Sequence, residues 1–260
     1  MYKRKVLLAV LFVLFILFAT LFYMIDSVSD NKDDEKIEGT CQIAFDDDKI
    51  YLNDESMARV DGRRIIIGKS GNYQITGQSD DASIVIDTTD NDSINIVLEN
   101  LSLACKDSSP FYVKDSGDIK ILLIGYNSFE DSANYENQED GKPDSCIYSK
   151  SDVTFMGDGH LNIHGVYGDG IFVKGDLEID SGQFDIEANG DGIKVNSKKD
   201  STKGRFIMGN GKMSINSLDE GIQADNEIKI TGGEVLISSV GDYIKCDGNI
   251  SVEKECVFTK

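Results

Sequence analysis

A short motif that recurs in the C-terminal half of the chain limits the possible folds more than any other feature. The tetrapeptides GDGI, GDGI, DEGI and GDYI end at Ile171, Ile193, Ile222 and Ile244, with spacings of 22, 29 and 22 residues. The longer step contains a polar stretch, residues 196–204 (NSKKDSTKG), which we expect to leave the repeat as a loop. Repeats of this length predict a solenoid, because one repeat cannot bury its apolar face alone and must pack on its neighbours.

Apolar residues at fixed offsets predict three short strands in each repeat. Such strands, whose side chains alternate inward and outward, bury their apolar face only when the next repeat stacks on them. Gly182, Gly211 and Gly233 recur before the third strand, where we expect a turn with positive φ. The sequence therefore predicts an all-β fold, a right-handed single-stranded parallel β-helix. The predicted apolar columns are Leu177, Phe206, Ile228 and Ile250 in one strand, and Phe184, Met213, Val235 and Val257 in the next.

The N-terminal segment predicts a membrane anchor. A basic flank, residues 1–5, precedes an apolar run of 20 residues, 6–25, which is long enough to cross a bilayer core as a transmembrane helix. A cleaved signal peptide is the alternative, although its apolar core is typically about 7 to 15 residues long. We expect residues 26–40 to form an acidic linker and residues 41–260 to form the β-helix domain. The protein would then be a single-pass protein of the cell membrane, with its β-helix outside the cell.

Net charge and cysteine content exclude some classes of function. The formal net charge is −20, which argues strongly against a nucleic-acid partner. Five cysteines are an odd number and lack metal-ligand spacing, so a complete disulfide framework is excluded. We interpret most of them as buried thiols. Cys246 in particular shares a predicted inward column with Val173, Val195 and Ala224.

An acidic residue stands two places before each repeating isoleucine, and stacking would align these residues in one column. Ionised carboxylates about 5 Å apart repel one another by a few kcal/mol, so the column needs cations, protonation or outward splay. Ca²⁺ is the natural cation outside a cell, because it accepts six to eight oxygen ligands. The alternative is that these acids only cap turns by accepting hydrogen bonds from backbone N–H groups. The predicted calcium ligands are Asp169, Asp191, Asp219, Glu220 and Asp242.

The residue after each repeating isoleucine should point outward, beside the acidic column. A polar row of this kind suits a sugar chain, and we predict that it binds carbohydrate. The alternative is that its two lysines only neutralise the neighbouring acids. The row, called the stripe below, consists of Phe172, Lys194, Gln223 and Lys245.

Five segments of the chain carry a family resemblance. They are GNYQITGQ from Gly71, SINIVLENLSL from Ser93, CIYSKSDVTFMGDGHLNIHG from Cys146, YGDGI from Tyr167 and DEGIQADNEIKITGG from Asp219. Together they resemble bacterial carbohydrate-binding domains with a polysaccharide-lyase-like right-handed parallel β-helix. The resemblance covers residues 42–239. It implies binding of calcium and of acidic polysaccharides such as the pectic polymer polygalacturonate.

The chain also departs from that family at positions that matter for calcium. The family usually has two acidic or amide residues before the repeating glycine and isoleucine, whereas this chain has Gly168, Gly190 and Gly241 at the first of these positions. The loop at 196–204 is also rich in lysine where relatives are more acidic. We therefore expect one or more of the family's calcium sites to be weakened.

Three functions follow from these observations. The resemblance favours a non-catalytic module that binds an acidic polysaccharide at the outer face of the membrane with the help of calcium. A calcium-dependent polysaccharide lyase is the second, with Lys194 or Lys245 as the base. The third is a surface adhesin or scaffold with a protein ligand. The final coil shows no cap, so association through it is expected. His160 and His164 alternate with apolar residues and are expected to face solvent.

Overall fold

The computed structural model describes most of the predicted β-helix domain, and the structural statements below concern these residues. The predicted anchor at 6–25, its basic flank and nearly all of the acidic linker lie outside them. Within the described part of the chain, no helix is both long enough and apolar enough to cross a membrane. The described residues are 39–135, 143–197, 200, 202–253 and 257–259.

All regular structure in the described residues is β-strand. The first strands are β1 Thr40–Asp46, β2 Lys49–Leu52, β3 Ala58–Asp61, β4 Arg64–Ile67, β5 Gly71–Ser79, β6 Ser83–Asp87, β7 Ile94–Ala104, β8 Phe111–Asp115, β9 Ile119–Ile124 and β10 Tyr126–Glu130. The middle strands are β11 Ser145–Ser149, β12 Val153–Gly157, β13 His160–Gly165, β14 Asp169–Val173, β15 Leu177–Ile179, β16 Gln183–Ala188 and β17 Ile193–Val195. The last strands are β18 Arg205–Met208, β19 Lys212–Ser217, β20 Ile222–Ala224, β21 Glu227–Ile230, β22 Glu234–Ser239, β23 Ile244–Cys246, β24 Asn249–Val252 and β25 Val257–Thr259.

These strands form two long, mainly parallel sheets. In the larger sheet, of 16 strands, the long strand β7 joins two limbs because it pairs with both β9 and β10. The first limb continues through β12, β15, β18 and β21 to β24, and the second through β13, β16, β19 and β22 to β25. The second sheet, of nine strands, runs from β3 to β23. Each C-terminal coil thus contributes one strand to the second sheet and one to each limb, and the chain is a β-helix-like solenoid.

The pairing register confirms the apolar columns that the repeat predicts. The repeating isoleucines pair with one another through the second sheet, and the column that begins at Leu177 continues to Ile250 in the first limb. One member of the remaining column is wrong, because Val235 pairs with Phe258 and not with Val257. The reason is a longer final turn: six positions separate Val252 from Phe258, whereas five separate the equivalent residues one coil earlier.

Three recurring glycines turn the chain into the second limb with the predicted positive φ. The φ angles are 117° at Gly182, 108° at Gly211 and 92° at Gly233. Stacking adds a second requirement, because a Cβ atom on Gly211 would lie 2.6 Å from the carbonyl oxygen of Gly182. Both the backbone angle and the close approach of the coils therefore require glycine.

The described cysteines are free thiols, as expected. Cys41, Cys105 and Cys146 are buried, and Cys246 packs half-buried at the end of its predicted inward column. Burial raises the pKa of the Cys41 and Cys105 thiols to about 11, so these thiols stay protonated and inert. Cys256 lies outside the described residues.

Candidate functional site

Backbone pairing between coils stacks the acidic residues that precede the repeating isoleucines. In each coil, a glycine N–H group donates to the carbonyl oxygen of the acidic residue in the next coil. The four acids therefore occupy equivalent positions in one column along the second sheet. The bonds are Gly170 to Asp191, Gly192 to Glu220 and Gly221 to Asp242, each 2.9 Å long.

The side chains of this column also cap the backbone of the coil above. Asp169 Oδ1 accepts a hydrogen bond of 2.8 Å from the Asp191 N–H group, and Asp191 Oδ1 accepts one of 3.0 Å from the Glu220 N–H group. The Asp191 side chain is only 1% exposed, whereas Asp242 is exposed. Asp169 and Asp191 each use one carboxylate oxygen to cap the backbone. The second oxygen of each carboxylate can still contact a cation.

The two lysines of the stripe lie against the column. Lys194 Nζ is 2.6 Å from Asp191 Oδ2 and 3.6 Å from Asp169 Oδ2. Lys245 Nζ contacts Glu220 Oε1 at 2.5 Å. This geometry corresponds to the alternative in which the lysines neutralise the neighbouring acids.

Three carboxylates of the predicted set come together as a possible metal site. Each of Asp191, Asp219 and Glu220 offers an oxygen atom, and these atoms lie within 4.8 Å of one another. Ca²⁺ binds oxygen at about 2.3 to 2.6 Å, so two ligands across one ion are up to about 5 Å apart. The cluster therefore has the right size for one ion. Asp169 and Asp242 belong to the column but not to this cluster.

Asp219 belongs to a neighbouring column in which the other coils have glycine. Its N–H group donates to the carbonyl oxygen of Gly190 at 3.1 Å, and Gly241 donates to the carbonyl oxygen of Asp219 at 3.0 Å. A Cβ atom on Gly190 would lie 2.5 Å from Asp169 Oδ1, so a larger residue does not fit there without a shift. Asp219 is therefore the only acidic residue in this column of the four coils that carry the repeat. Gly168, Gly190 and Gly241 take the same position in the other coils, and these glycines are the departures from the family pattern described above.

In three acidic residues of the column, burial acts to raise the carboxyl pKa, whereas a neighbouring lysine acts to lower it. Burial raises the pKa of Asp169 to about 6, against the opposing effect of Lys194. Burial also raises the pKa of Asp191, with Lys194 again opposing. The hydrogen bond from Lys245, followed by one with Asp191, lowers the pKa of Glu220 to about 2. A hydrogen bond with the Glu220 carboxyl group raises the pKa of Asp219. A cation bound by Asp191, Asp219 and Glu220 would favour the ionised form of these carboxyl groups.

The stripe is a continuous row, but its aromatic member is covered. Register pairs link Phe172, Lys194, Gln223 and Lys245 in order through the second sheet. The Phe172 ring is buried, packs edge-on against Tyr148 with ring centres 5.4 Å apart, and has Lys194 Nζ 5.9 Å from its centre. It therefore offers little surface for stacking on a sugar ring. The half-buried Gln223 keeps an amide beside the acidic column.

The lysines do not have the electrostatic environment of a catalytic base. Burial lowers the pKa of Lys194, but the carboxylates of Asp169 and Asp191 outweigh burial and raise it overall. The hydrogen bond to Glu220 raises the pKa of Lys245. A lyase base must be unprotonated to remove a proton. These shifts therefore argue against proton abstraction by either lysine.

Comparison with known proteins assigns the family. The sequence profile of a family described as "Carbohydrate-binding domain-containing protein" matches residues 61–197 and 176–255. The chain belongs to this carbohydrate-binding domain family. A carbohydrate-binding domain-containing protein of Acetivibrio thermocellus is 28% identical over 242 residues, which cover 83% of this chain and 85% of the relative. A solved polysaccharide lyase-like protein from C. thermocellum, a gadolinium derivative, is also 28% identical, with a TM-score of 0.74. That match covers 85% of this chain and all of the other.

The lysine-rich loop of this carbohydrate-binding domain supplies cations to a second acidic corner. The described residues of this loop lie between β17 and β18 and belong to neither strand. Lys203 contacts the carboxylate of Asp152 and lies 3.7 Å from that of Asp176. Arg205 Nη2 is 2.5 Å from Asp176 Oδ2. Protein cations thus neutralise the acidic residues of this corner.

The carbohydrate-binding domain also has a polar groove that sequence reasoning missed. The groove has a volume of about 260 Å³ and lies on the outer face of the larger sheet, where β7, β10, β13 and β16 run side by side. His164 faces solvent there, as expected, with its Nδ1 atom 3.6 Å from Glu130 Oε2. The other predicted outward histidine, His160, has its Nε2 atom 2.9 Å from Asp185 Oδ2. The only signal in the sequence was the alternation of polar and apolar residues within these strands.

Proposed function

We propose that this carbohydrate-binding domain binds an acidic polysaccharide without cleaving it, and that Ca²⁺ held by Asp191, Asp219 and Glu220 assists binding. The single observation that carries the proposal is the cluster of three carboxylates, of which Asp219 is exposed. An ion held there would have the Asp219 side open to water and to ligands from a polymer. Uronate carboxylates are oxygen ligands of the kind that Ca²⁺ prefers.

Charge explains why a divalent ion would be needed. The chain carries a formal net charge of −20, so it repels an acidic polymer at long range. Lys194 and Lys245 are already paired with the column and offer little free positive charge. An ion that shares ligands between the cluster and a uronate would replace repulsion by direct coordination. The same lysines compete with the ion, so we expect weak calcium binding.

The relatives support this proposal in two ways. Both the family and its member from Acetivibrio thermocellus are described as carbohydrate-binding. The similar structure from C. thermocellum is a gadolinium derivative. Gadolinium is a hard cation that prefers oxygen ligands, as calcium does.

We also infer the finer architecture and location from the sequence. The coils would wind as a right-handed single-stranded parallel β-helix, as the family resemblance implies. The apolar run at 6–25 would anchor the protein in the cell membrane, with residues 41–260 outside the cell. Calcium is abundant in that compartment, which is consistent with a weak site.

Association through the last coil is a related proposal. The side chain of Ile250 is 48% exposed, whereas Ile228, its partner one coil earlier, is fully buried. Val252, two residues further along the same strand, adds exposed apolar surface. A second copy packed there would cover this surface. Sedimentation that shows a monomer across a wide concentration range would reject this association.

The binding proposal is tested by electrophoresis of the full-length protein, in detergent, through gels that contain polygalacturonate. We expect retardation with calcium and none with a chelator. The variant Asp219→Asn should lose the calcium effect, whereas the matched exposed variant Asp242→Asn should keep it. Unchanged retardation in the chelator would contradict the calcium requirement. Accumulation of unsaturated uronides, followed by ultraviolet absorbance, would favour the lyase instead.

A further inference from the structure

The polar groove is separate from the calcium cluster and has its own chemistry. It lies on strands of the larger sheet, whereas the cluster lies in the turns that precede β17 and β20, and no residue of the cluster lines the groove. Short side chains form its floor: Ser102 and Ser128 bond to each other at 2.8 Å, and Ala104 adds only a methyl group. Longer side chains on neighbouring strands rise around Ala104, because Glu130 pairs with it in register and His164 pairs with Glu130. The small residue between large ones creates the depression.

The hydrogen-bonding groups of the groove suit a polyhydroxylated ligand. Two serine hydroxyls, the Asn162 amide and the His164 imidazole can donate and accept hydrogen bonds, as sugar hydroxyls also do. Tyr126 lies two residues before Ser128 on β10 and points to the same face. Its ring is 55% exposed and is supported edge-on by His160, with ring centres 4.8 Å apart. Tyr126 thus stands on the same face but outside the groove lining, and the groove itself offers the convergent polar groups that ligand sites use.

The charges of the groove select among sugars. Three carboxylates, Asp80, Glu130 and Glu187, belong to its lining, and neither lysine nor arginine is among the described lining residues. An acidic glycan would meet repulsion here, and this groove lacks the close carboxylate cluster that would hold a bridging metal ion. A glycan with protonated amino groups would instead pair with the carboxylates. Its hydroxyls would bond to the serines and the amide.

The spacing of the carboxylates matches a polymer that crosses the strands. Glu130 on β10 and Glu187 on β16 both pair with His164 on β13, so they lie two strand spacings apart, about 10 Å. In an extended β-linked pyranose chain, alternate rings present their substituents on the same side at a comparable repeat. Amino groups on alternate rings could therefore reach both carboxylates.

We propose that the polar groove binds an amino-sugar glycan, with protonated amines on Glu130 and Glu187 and sugar hydroxyls on the serines and Asn162. This proposal rests on the carbohydrate-binding function proposed above, but it does not involve calcium. The protein would thus have two glycan sites of opposite preference, one for acidic polymers with calcium and one for basic polymers without it.

The test is fluorescence anisotropy of a labelled glucosamine hexamer with the full-length protein, in chelator and at a pH at which the amines are protonated. We expect the N-acetylated hexamer and an oligogalacturonate to bind at least about tenfold more weakly. The double variant Glu130→Gln with Glu187→Gln should weaken glucosamine binding by about tenfold. The control, Glu55→Gln with Glu178→Gln, changes the net charge equally at two exposed sites elsewhere and should have little effect.

Three outcomes would overturn the proposal. An equal loss in both double variants would indicate general attraction of a polycation to an acidic protein. Equal binding of the N-acetylated hexamer would show that the amines are not recognised. Undiminished binding of the glucosamine hexamer in the double variant Glu130→Gln with Glu187→Gln would exclude pairing with these carboxylates. Calcium-dependent retardation by polygalacturonate is measured on the same variants, so failure of the groove is distinguishable from failure of the calcium cluster.

Discussion

The carboxylate of Asp169 accepts a hydrogen bond of 2.8 Å from the backbone N–H group of Asp191 one coil further along the chain. The bond ties two successive coils through a side chain that is itself buried. Only one oxygen atom is needed for this purpose, and an amide oxygen would serve equally well. The negative charge of Asp169 is therefore not required for the fold, and its raised pKa indicates that the charge is a cost.

Asp169→Asn is expected to stabilise the protein at neutral pH. The folded-state pKa of about 6 lies above the ordinary value of 3.8, so the folded state favours the protonated form. The stability contributed by Asp169 is complete below about pH 4 and is lost as the pH rises through about 6. A shift of about two pKa units lowers the free energy of unfolding at neutral pH by at most about 3 kcal/mol. The uncharged amide of Asp169→Asn would recover this free energy. Urea unfolding of both proteins between about pH 4 and 8 measures the difference.

The control for this experiment is Asp242→Asn, which makes the same substitution at an exposed position of the same column and should change the free energy of unfolding much less. Parallel curves for the wild type and Asp169→Asn would show that Asp169 does not bind its extra proton in the folded state. That result would also show that burial does not disfavour the ionised form of Asp169.

Lys245→Gln is expected to strengthen calcium binding. The lysine amine occupies an oxygen of Glu220, and its removal frees that oxygen and adds one negative charge to the site. We expect an affinity increase of about tenfold, measured by isothermal titration of the full-length protein with calcium. Lys229→Gln on the exposed face of β21 makes the same charge change elsewhere and should have a smaller effect. Weaker binding in Lys245→Gln would mean that the lysine supports the site.

Ile228→Ala should lower the free energy of unfolding much more than Ile250→Ala, although both residues occupy the same column. Ile228 is fully buried between neighbouring coils, so its truncation leaves a cavity and should cost about 2 to 5 kcal/mol. Ile250 is about half exposed at the end of the described column and should cost about 1 kcal/mol or less. Thermal or urea unfolding compares the two variants. Equal costs would indicate that the last coil is covered in solution.

Gly211→Ala should destabilise the stacked turns by about 1 to 3 kcal/mol. The position combines a φ of 108° with a Cβ atom that would lie 2.6 Å from the Gly182 carbonyl oxygen. Gly68→Ala is the matched control, because its φ is not positive and a Cβ atom there would meet nothing within 4 Å. Urea midpoints measure both changes. An unchanged urea midpoint in Gly211→Ala would contradict this prediction and would mean that the coils move apart locally to accept the methyl group.

Much of the fold was predictable because parallel pairing keeps equivalent residues in register. The columns from Ile171 to Ile244 and from Leu177 to Ile250 follow directly from their sequence spacing. The error at Val257 arose because a single extra residue in a turn shifts the register without changing the local pattern.

The candidate site was predictable in part for the same reason. Stacking of Asp191 and Glu220 follows from the repeat, whereas the direction of a long lysine side chain does not. Lys194 could have extended toward solvent or toward Asp191, and only its packing against Phe172 and the column decides between them. The polar groove was not predictable, because it depends on Ala104 lying beside residues from strands far away in the sequence.

The two N-terminal hairpins restrict how copies of this solenoid can join. A parallel coil left open at both ends would be a template for endless head-to-tail growth. Here β1 with β2 and β3 with β4 turn back antiparallel over the first coil, and charged residues such as Lys49 and Arg59 stand on the outermost strands. These antiparallel edge strands and their charges therefore oppose the addition of another copy at this end of the solenoid.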